Sequence, residues 1–171
     1  MTILDKLAGG DLRSIGRTEE VVQDIMQDPS LFGAVFEGIT HANPIIRMRA
    51  ADAIEKVSAK YPDYLAPFKD HVLGVLSKIE QQEVQWHVAQ LLSYLALTTE
   101  EQKKAVTLLE HFLDSSQSHI VKVNAMQTLA ELAVKNPMLK QRVLMRIHAL
   151  INTGIPSLIS RGKTVLRLLQ E

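Results

Sequence analysis

The side chains that most often carry out chemistry in proteins are present here, but not in catalytic or metal-binding patterns. The six histidines are His41, His71, His87, His111, His119 and His148. No two of them are three or four residues apart, so no helical His-Glu-x-x-His pair exists. The sequence contains no cysteine, which excludes disulfides and thiolate metal ligands. The sequence therefore predicts no metal site.

Motifs for phosphate binding and for nucleophilic catalysis are also absent from the sequence. It contains no Gly-x-x-x-x-Gly-Lys-Ser/Thr loop, no Gly-x-Gly-x-x-Gly loop and no Gly-x-Ser-x-Gly elbow. The adjacent carboxylates Glu19-Glu20 and Glu100-Glu101 stand in predicted first helical turns, where the helix dipole accounts for them. We therefore expect a non-catalytic protein with no cofactor.

The helices that would position any functional side chain follow a repeated pattern. The stretch 43–60 has an apolar frame that begins at Ile46 and recurs from Val84, Val121 and Leu158, at intervals of 38, 37 and 37 residues. A period of this size is typical of a solenoid built from stacked helix pairs. No segment alternates polar and apolar residues as a half-buried strand does. The pattern therefore predicts an all-α fold.

The boundaries of the predicted helices follow from capping residues and prolines. Asn43-Pro44 starts one helix, Tyr61-Pro62 ends it, and Thr98 with Glu101 has capping-box spacing. Thr18 is the predicted N-cap of an earlier helix. We expect residues 1–28 to form N-terminal capping helices and residues 29–170 to form four helix pairs. The paired helices are predicted at 29–41 and 44–60, 63–79 and 82–97, 98–114 and 119–135, and 137–153 and 156–170. The whole chain, 1–171, is thus predicted to be one solenoid domain.

The sequences of two of these predicted helices resemble those of the helices in a known repeat family. The segment Pro44-Ile-Ile46-Arg47-x-x-Ala50-Ala51-x-Ala53-Ile54 resembles the second helix of a HEAT repeat, and Pro29-Ser30-Leu31-x-x-x-Val35 resembles the first. The resemblance extends over residues 29–170. It implies a right-handed α–α superhelix of the HEAT or armadillo type, whose second helices line a concave face that binds other proteins.

The arginine that is typical of that family occurs in only one of the predicted repeats, at Arg47. Family members often bond an arginine at the position of Arg47 to an aspartate in the turn before it. Gln85 and Lys122 stand at the matching positions of the next two repeats, and no turn supplies the aspartate. Only Arg47 matches that part of the pattern.

A second set of side chains lies opposite the core stripe of the second helices, at about 100° per residue. The predicted partner-binding residues on this concave face are Met48, Arg49, Trp86, His87, Gln90, Tyr94, Val123, Asn124 and Arg161. A tryptophan near a tyrosine and arginines is typical of the centre of a binding patch. Alternatively, Trp86 fills space between tightly curved helices. Both interpretations of Trp86 fit the sequence.

These observations predict a non-catalytic scaffold or adaptor that binds a protein or peptide partner on its concave face. Two alternatives are a nucleic-acid-binding or HEAT-like DNA base-repair protein and a protein similar to the HEAT-related bilin lyases. The charge balance, 19 basic and 19 acidic residues, argues against nucleic acid, and no residue points to a bilin site. The sequence shows no signal peptide and no membrane-spanning segment, so we expect a cytoplasmic location.

Overall fold

The computed structural model describes residues 2–170, and in that range the chain is helical without a β-strand. The α-helices are α1 (Thr18–Gln27), α2 (Leu31–Glu37), α3 (Pro44–Lys60), α4 (Lys69–Gly74), α5 (Gln82–Tyr94), α6 (Thr99–Ser115), α7 (His119–Lys135), α8 (Lys140–Ile151) and α9 (Pro156–Leu168). Short 3₁₀ segments lie at Ile3–Leu7, Gly38–Thr40, Pro62–Tyr64, Ala66–Phe68, Leu76–Lys78 and Pro137–Leu139. The prediction of an all-α protein is confirmed.

The chain divides into two compact units, Met1–Ala96 and Leu97–Glu171. The first unit contains α1 to α5 and the second contains α6 to α9. The arrangement of all four helix pairs in one continuous solenoid stays a prediction, as does the separate role of residues 1–28 as a cap.

Helix α3 is the centre of the first unit. It packs against α1, α2, α5 and the 3₁₀ segment Ile3–Leu7. The side chain of Asn43 accepts a hydrogen bond from the N–H of Ile45 at 2.9 Å, and Pro44 occupies the first turn, so the predicted start is confirmed. Fully buried Ala50 and Ala53 let neighbouring helices approach closely.

Helix α7 has the corresponding place in the second unit, where it packs against α6, α8 and α9. The preceding helix α6 starts at the predicted capping box: the N–H of Thr98 donates to Glu101 Oε2 at 2.7 Å, and the N–H of Glu101 donates to Thr98 Oγ1 at 3.3 Å. Ser118 then caps α7 by accepting from the N–H of Val121. Local capping chemistry therefore fixes both helix starts.

The first helices of the first two pairs are shorter than predicted. The segment predicted as a helix at 63–79 divides into 3₁₀ turns around α4, because Pro62 and Pro67 lack the N–H that a continuous helix needs. Helix α5 ends at Tyr94 rather than at residue 97, since Leu95 is extended.

The prediction of Thr18 as an N-cap is wrong. Arg17 is the cap residue, and the buried Thr18 hydroxyl donates back to the carbonyl of Ile15.

Arg47 connects two successive turns of the first unit. Its Nη1 donates to the carbonyls of His41 and Ala42 at 2.9 and 3.0 Å, and its Nε donates to Gln81 Oε1 at 2.7 Å. Gln81 in return donates to the carbonyl of Pro44 at 2.9 Å. An amide in the following turn is thus the partner of Arg47, in place of the carboxylate that the family resemblance associates with this position.

Gly162 is buried in α9 at a close contact with α8. A Cβ atom at this position would lie 2.5 Å from Ile151 Cγ1 and 2.8 Å from its Cδ1. We expect Gly162→Ala to lower the free energy of unfolding by about 1 kcal/mol, because overpacking outweighs the roughly 1 kcal/mol that alanine gains in helix propensity. Denaturant unfolding measures the change. In an Ile151→Ala background, which removes both contacting atoms, the same substitution should become stabilising. Stabilisation in the wild-type background would contradict the close contact.

Candidate functional site

A pocket of about 240 Å³ lies within the first unit. The loop before α1 supplies residues 12–15, α3 supplies Met48, Arg49 and Asp52, and α5 supplies Trp86 and His87. Four of these residues, Met48, Arg49, Trp86 and His87, were predicted from the sequence to share a binding face. The structure brings these four together.

Arg49 fixes the loop wall of the pocket. Arg49 is 2% exposed, and its guanidinium donates to main-chain carbonyls of Leu7 and of the loop that follows it. Nη1 donates to Leu7, Ala8 and Gly9 at 2.8, 3.3 and 2.7 Å. Nε donates to Ser14 at 3.0 Å and Nη2 to Asp11 at 3.3 Å. The planar, multi-donor guanidinium can bind these differently oriented carbonyls at the same time.

Gly16 allows the loop to close around this guanidinium. Its φ of +55° belongs to the left-handed region, and a Cβ atom there would lie 2.6 Å from Arg49 Nη1. Both the backbone conformation and the available space therefore require glycine. The loop conformation therefore depends on Arg49 in α3 and on Gly16 in the loop itself.

Trp86 forms an apolar part of the pocket together with the loop. Its side chain is partly exposed, and its ring lies 5.6 Å from the His87 ring, centroid to centroid. Leu12 and Ile15 are 44% and 52% exposed at the same pocket. Trp86 is therefore neither fully buried in the core nor isolated on the surface. It lies beside apolar side chains that are open to solvent.

His87 is neutral in the folded protein at pH 7. Burial lowers its pKa to about 4, although the nearby Asp52 carboxylate and the bond to Gln90 act in the opposite direction. The contact from His87 Nδ1 to Gln90 Oε1 is 3.1 Å, and Nε2 lies 3.9 Å from Asp52 Oδ1. The sequence placed His87 on the predicted partner-binding face, open to a partner. In the structure the ring is buried, because α3 and the loop cover it.

Asp52 belongs to a chain of charges between α1 and α3. Its Oδ2 is shielded from solvent and lies 3.0 Å from Lys56 Nζ, an ion-pair contact without hydrogen-bond geometry. Lys56 also binds Glu19 of α1. Because Lys56 is shared between two carboxylates, the charge of Asp52 is only partly compensated by this neighbour.

Three of the predicted face residues are less accessible than the sequence suggested. Met48 is 7% exposed, Arg49 is 2% exposed and His87 is 8% exposed, whereas the helical wheel placed all three on an open face. The reason is tertiary: the loop of residues 8–17 lies over this side of α3 and takes up the guanidinium. For Arg49, the prediction that its charge is presented to a partner is wrong.

The remaining predicted residues of the first unit lie on α5 and take part in internal bonds. Gln90 accepts from His87, as described above. The Tyr94 hydroxyl donates to Glu55 Oε1 of α3 at 2.6 Å. Both side chains are partly exposed, and neither lines the pocket around Trp86.

The other predicted residues, Val123, Asn124 and Arg161, belong to the second unit and are partly exposed. Arg161 Nη1 of α9 donates to Gln127 Oε1 of α7 at 2.8 Å, and Asn124 Nδ2 donates to the carbonyl of Ile120 at 2.9 Å. The inclusion of these residues in one concave face with Trp86 stays a prediction.

Residues 12–15 and Asp52 line the pocket but were not among the predicted site residues. Leu12 and Ile15 are apolar residues between Gly10 and Gly16, in a segment without helical periodicity. Such residues indicate a loop that packs on another part of the protein, but they do not show where it packs. Asp52 lies on the predicted face, and a single carboxylate on a helix does not indicate a site by itself.

No protein-family model, curated protein or solved structure matches this chain. In residues 2–170, no group of three or more histidine, aspartate or glutamate side chains could hold a metal ion. No helix in the same range has both the length and the apolar character needed to cross a membrane.

Proposed function

We propose that this chain is a short HEAT-like α-solenoid that acts as a non-catalytic scaffold and binds a protein or peptide segment in the pocket around Trp86. The observation that carries this proposal is the partly exposed Trp86 in a pre-formed, mainly apolar pocket. Tryptophan anchors that become desolvated on binding contribute a large share of the energy of many protein interfaces.

The HEAT-like part of the proposal is supported by contacts that join side chains about one repeat apart. In the first unit, Arg47 bonds to Gln81, and Tyr94 bonds to Glu55, 34 and 39 residues away. In the second unit, the Arg161 bond to Gln127 spans 34 residues. The second helices of successive predicted pairs also pack together, α3 with α5 and α7 with α9. These are the contacts expected of stacked repeats.

A polypeptide partner fits the pocket better than a nucleic acid does. The exposed side chains of Leu12 and Ile15 extend the apolar surface of the pocket on one side of Trp86. Of the two arginines that line it, Arg49 is occupied by loop carbonyls, which leaves Arg13 as the basic side chain open to solvent. A nucleic-acid site needs several cations directed at phosphates. Protein interfaces commonly place an anchoring tryptophan, tyrosine or arginine in a well-packed, desolvated pocket.

A selection of displayed peptides on the immobilised protein tests this proposal. We expect wild-type protein to enrich peptides whose binding changes the fluorescence of Trp86, the only tryptophan. The Trp86→Ala variant should bind the same peptides about 30-fold more weakly, which corresponds to loss of a 2 kcal/mol anchor. Affinity for the variant is measured by competition or calorimetry, because it lacks the fluorophore.

Tyr61→Ala is the matched control, since it removes an aromatic side chain that is 42% exposed and lies outside the pocket. It should leave peptide affinity unchanged. Equal binding by wild type and Trp86→Ala, with both variants folded, would contradict the proposed site.

A further inference from the structure

Two hydrogen-bond acceptors face each other inside the pocket. With Gln90 Oε1 as the acceptor in the 3.1 Å contact, the proton of neutral His87 is on Nδ1. Nε2 of the same ring then carries a lone pair. It lies 3.9 Å from Asp52 Oδ1, which is also an acceptor. Two acceptors at this separation are compatible with a single donor that bonds to both.

The spacing of these two acceptors suits one bridging nitrogen. A donor about 2.9 Å from each atom fits between them, because 3.9 Å is less than twice the ordinary hydrogen-bond distance. The low pKa of His87, about 4, keeps Nε2 an acceptor at neutral pH. The side chains of His87 and Asp52 are only 10% and 17% exposed, so the donor would be largely desolvated.

One member of this acceptor pair is a carboxylate, which bonds more strongly to a cationic donor than to a neutral one. Arg13 and Arg49 line the same pocket, and Arg13 is exposed to solvent. Asp52 is the carboxylate among the lining residues, and Lys56 is shared between it and Glu19. Arg49 donates from all three of its nitrogens to loop carbonyls, so its hydrogen-bonding groups are directed at the loop. The indole of Trp86 lines the same pocket, and indole rings attract planar cations.

We propose that the acceptor pair His87 Nε2 and Asp52 Oδ1 binds the guanidinium of an arginine in the partner peptide. The apolar residues that flank this arginine in the peptide lie against Leu12 and Ile15. This inference rests on the proposed function, because it specifies which side chain of a bound peptide enters the pocket. The guanidinium supplies the bridging N–H group, stacks on Trp86 and pairs with the carboxylate.

Two peptides that differ in one charge test this inference. Ac-Leu-Arg-Leu-NH₂ carries the guanidinium, and the same peptide with citrulline in place of arginine carries a neutral urea of nearly the same shape. We expect the arginine peptide to bind the wild-type protein at least about tenfold more tightly, as judged from titration of the Trp86 indole signal by NMR. In Asp52→Asn, this preference should fall below about threefold while the affinity for the citrulline peptide stays the same.

Glu80→Gln is the control for net charge, since it removes a carboxylate from an exposed residue of the same unit outside the pocket. It should keep the tenfold preference. Equal affinity of the two peptides for wild type would overturn the inference while leaving the Trp86 site in place. A preference that survives in Asp52→Asn would overturn it as well. Absence of binding by either peptide also rejects it, and the displayed-peptide selection then decides separately whether the proposed function stands.

Discussion

Replacing Arg49 with methionine is expected to destabilise the first unit by about 3 kcal/mol and to release the loop of residues 8–17. The guanidinium donates to five main-chain carbonyls, four in this loop and one at Leu7 just before it, and bonds from a charged donor contribute about 1.5–3 kcal/mol each when lost singly. The sum is smaller than five separate losses because the freed carbonyls of the exposed loop become hydrated. Methionine keeps the apolar volume of the side chain, so the effect measures the lost donors.

Denaturant unfolding measures the loss of stability, and limited trypsin digestion after Arg13 reports on the loop. We expect cleavage at this bond to be at least about tenfold faster in Arg49→Met than in wild type. Arg13→Met is the control for stability, because this loop arginine is exposed, and its substitution should change stability by no more than about 0.5 kcal/mol. If Arg49→Met has the same free energy of unfolding as wild type, the hydrogen bonds from Arg49 to the carbonyls do not hold the loop in place.

Gly16→Ala tests the same arrangement from the side of the loop. A methyl group there meets the Arg49 guanidinium at 2.6 Å and requires an unfavourable positive φ. We expect it to destabilise the protein in the same direction as Arg49→Met. When the two substitutions are combined, the effect should be smaller than the sum, since both disrupt the same set of contacts.

The second large effect is a loss of stability as the pH falls from about 6.5 to 4. The pKa of His87 is about 4 in the folded protein and near its ordinary value of 6.5 in the unfolded chain. Above pH 6.5 the ring is neutral in both the folded and the unfolded state, so the contribution of the neutral buried ring to the free energy of unfolding is fully present. Below that pH the unfolded chain takes up a proton that the folded protein does not, and the folded state loses up to about 3 kcal/mol by pH 4.

Carboxylates also titrate near pH 4, so the comparison that isolates this effect uses His87→Gln. This variant should show a shallower decrease in the free energy of unfolding between pH 6.5 and 4 than wild type shows. His119→Gln removes an exposed histidine and keeps the buried ring, so it should keep the wild-type slope. Parallel curves for wild type and His87→Gln would show that burial of the ring does not control the pH dependence.

The sequence by itself determined the helical class and the best-defined helices. Asn43 and Thr98 directly precede α3 and α6, and the side chain of each accepts a hydrogen bond from a nearby backbone N–H. Such caps, and the prolines that end helices, act within a few residues and can therefore be read from the chain. The apolar frame repeated every 37–38 residues likewise selected buried positions such as Ala50, Ile54 and Ala125. It also placed Trp86 beside Met48 and His87.

Only the tertiary structure decided what covers the predicted binding face. The periodic pattern assigns Arg49 to the side opposite the core, and nothing near it in the chain shows that a loop 35 to 42 residues earlier binds its guanidinium. The burial of His87 and the entry of Leu12, Ile15 and Asp52 into the pocket follow from this same long-range contact. Helical periodicity gives the direction of a side chain relative to its own helix. Whether that direction ends in solvent, in a neighbouring helix or under a loop depends on residues far away in the sequence, whose positions are fixed only when the chain folds.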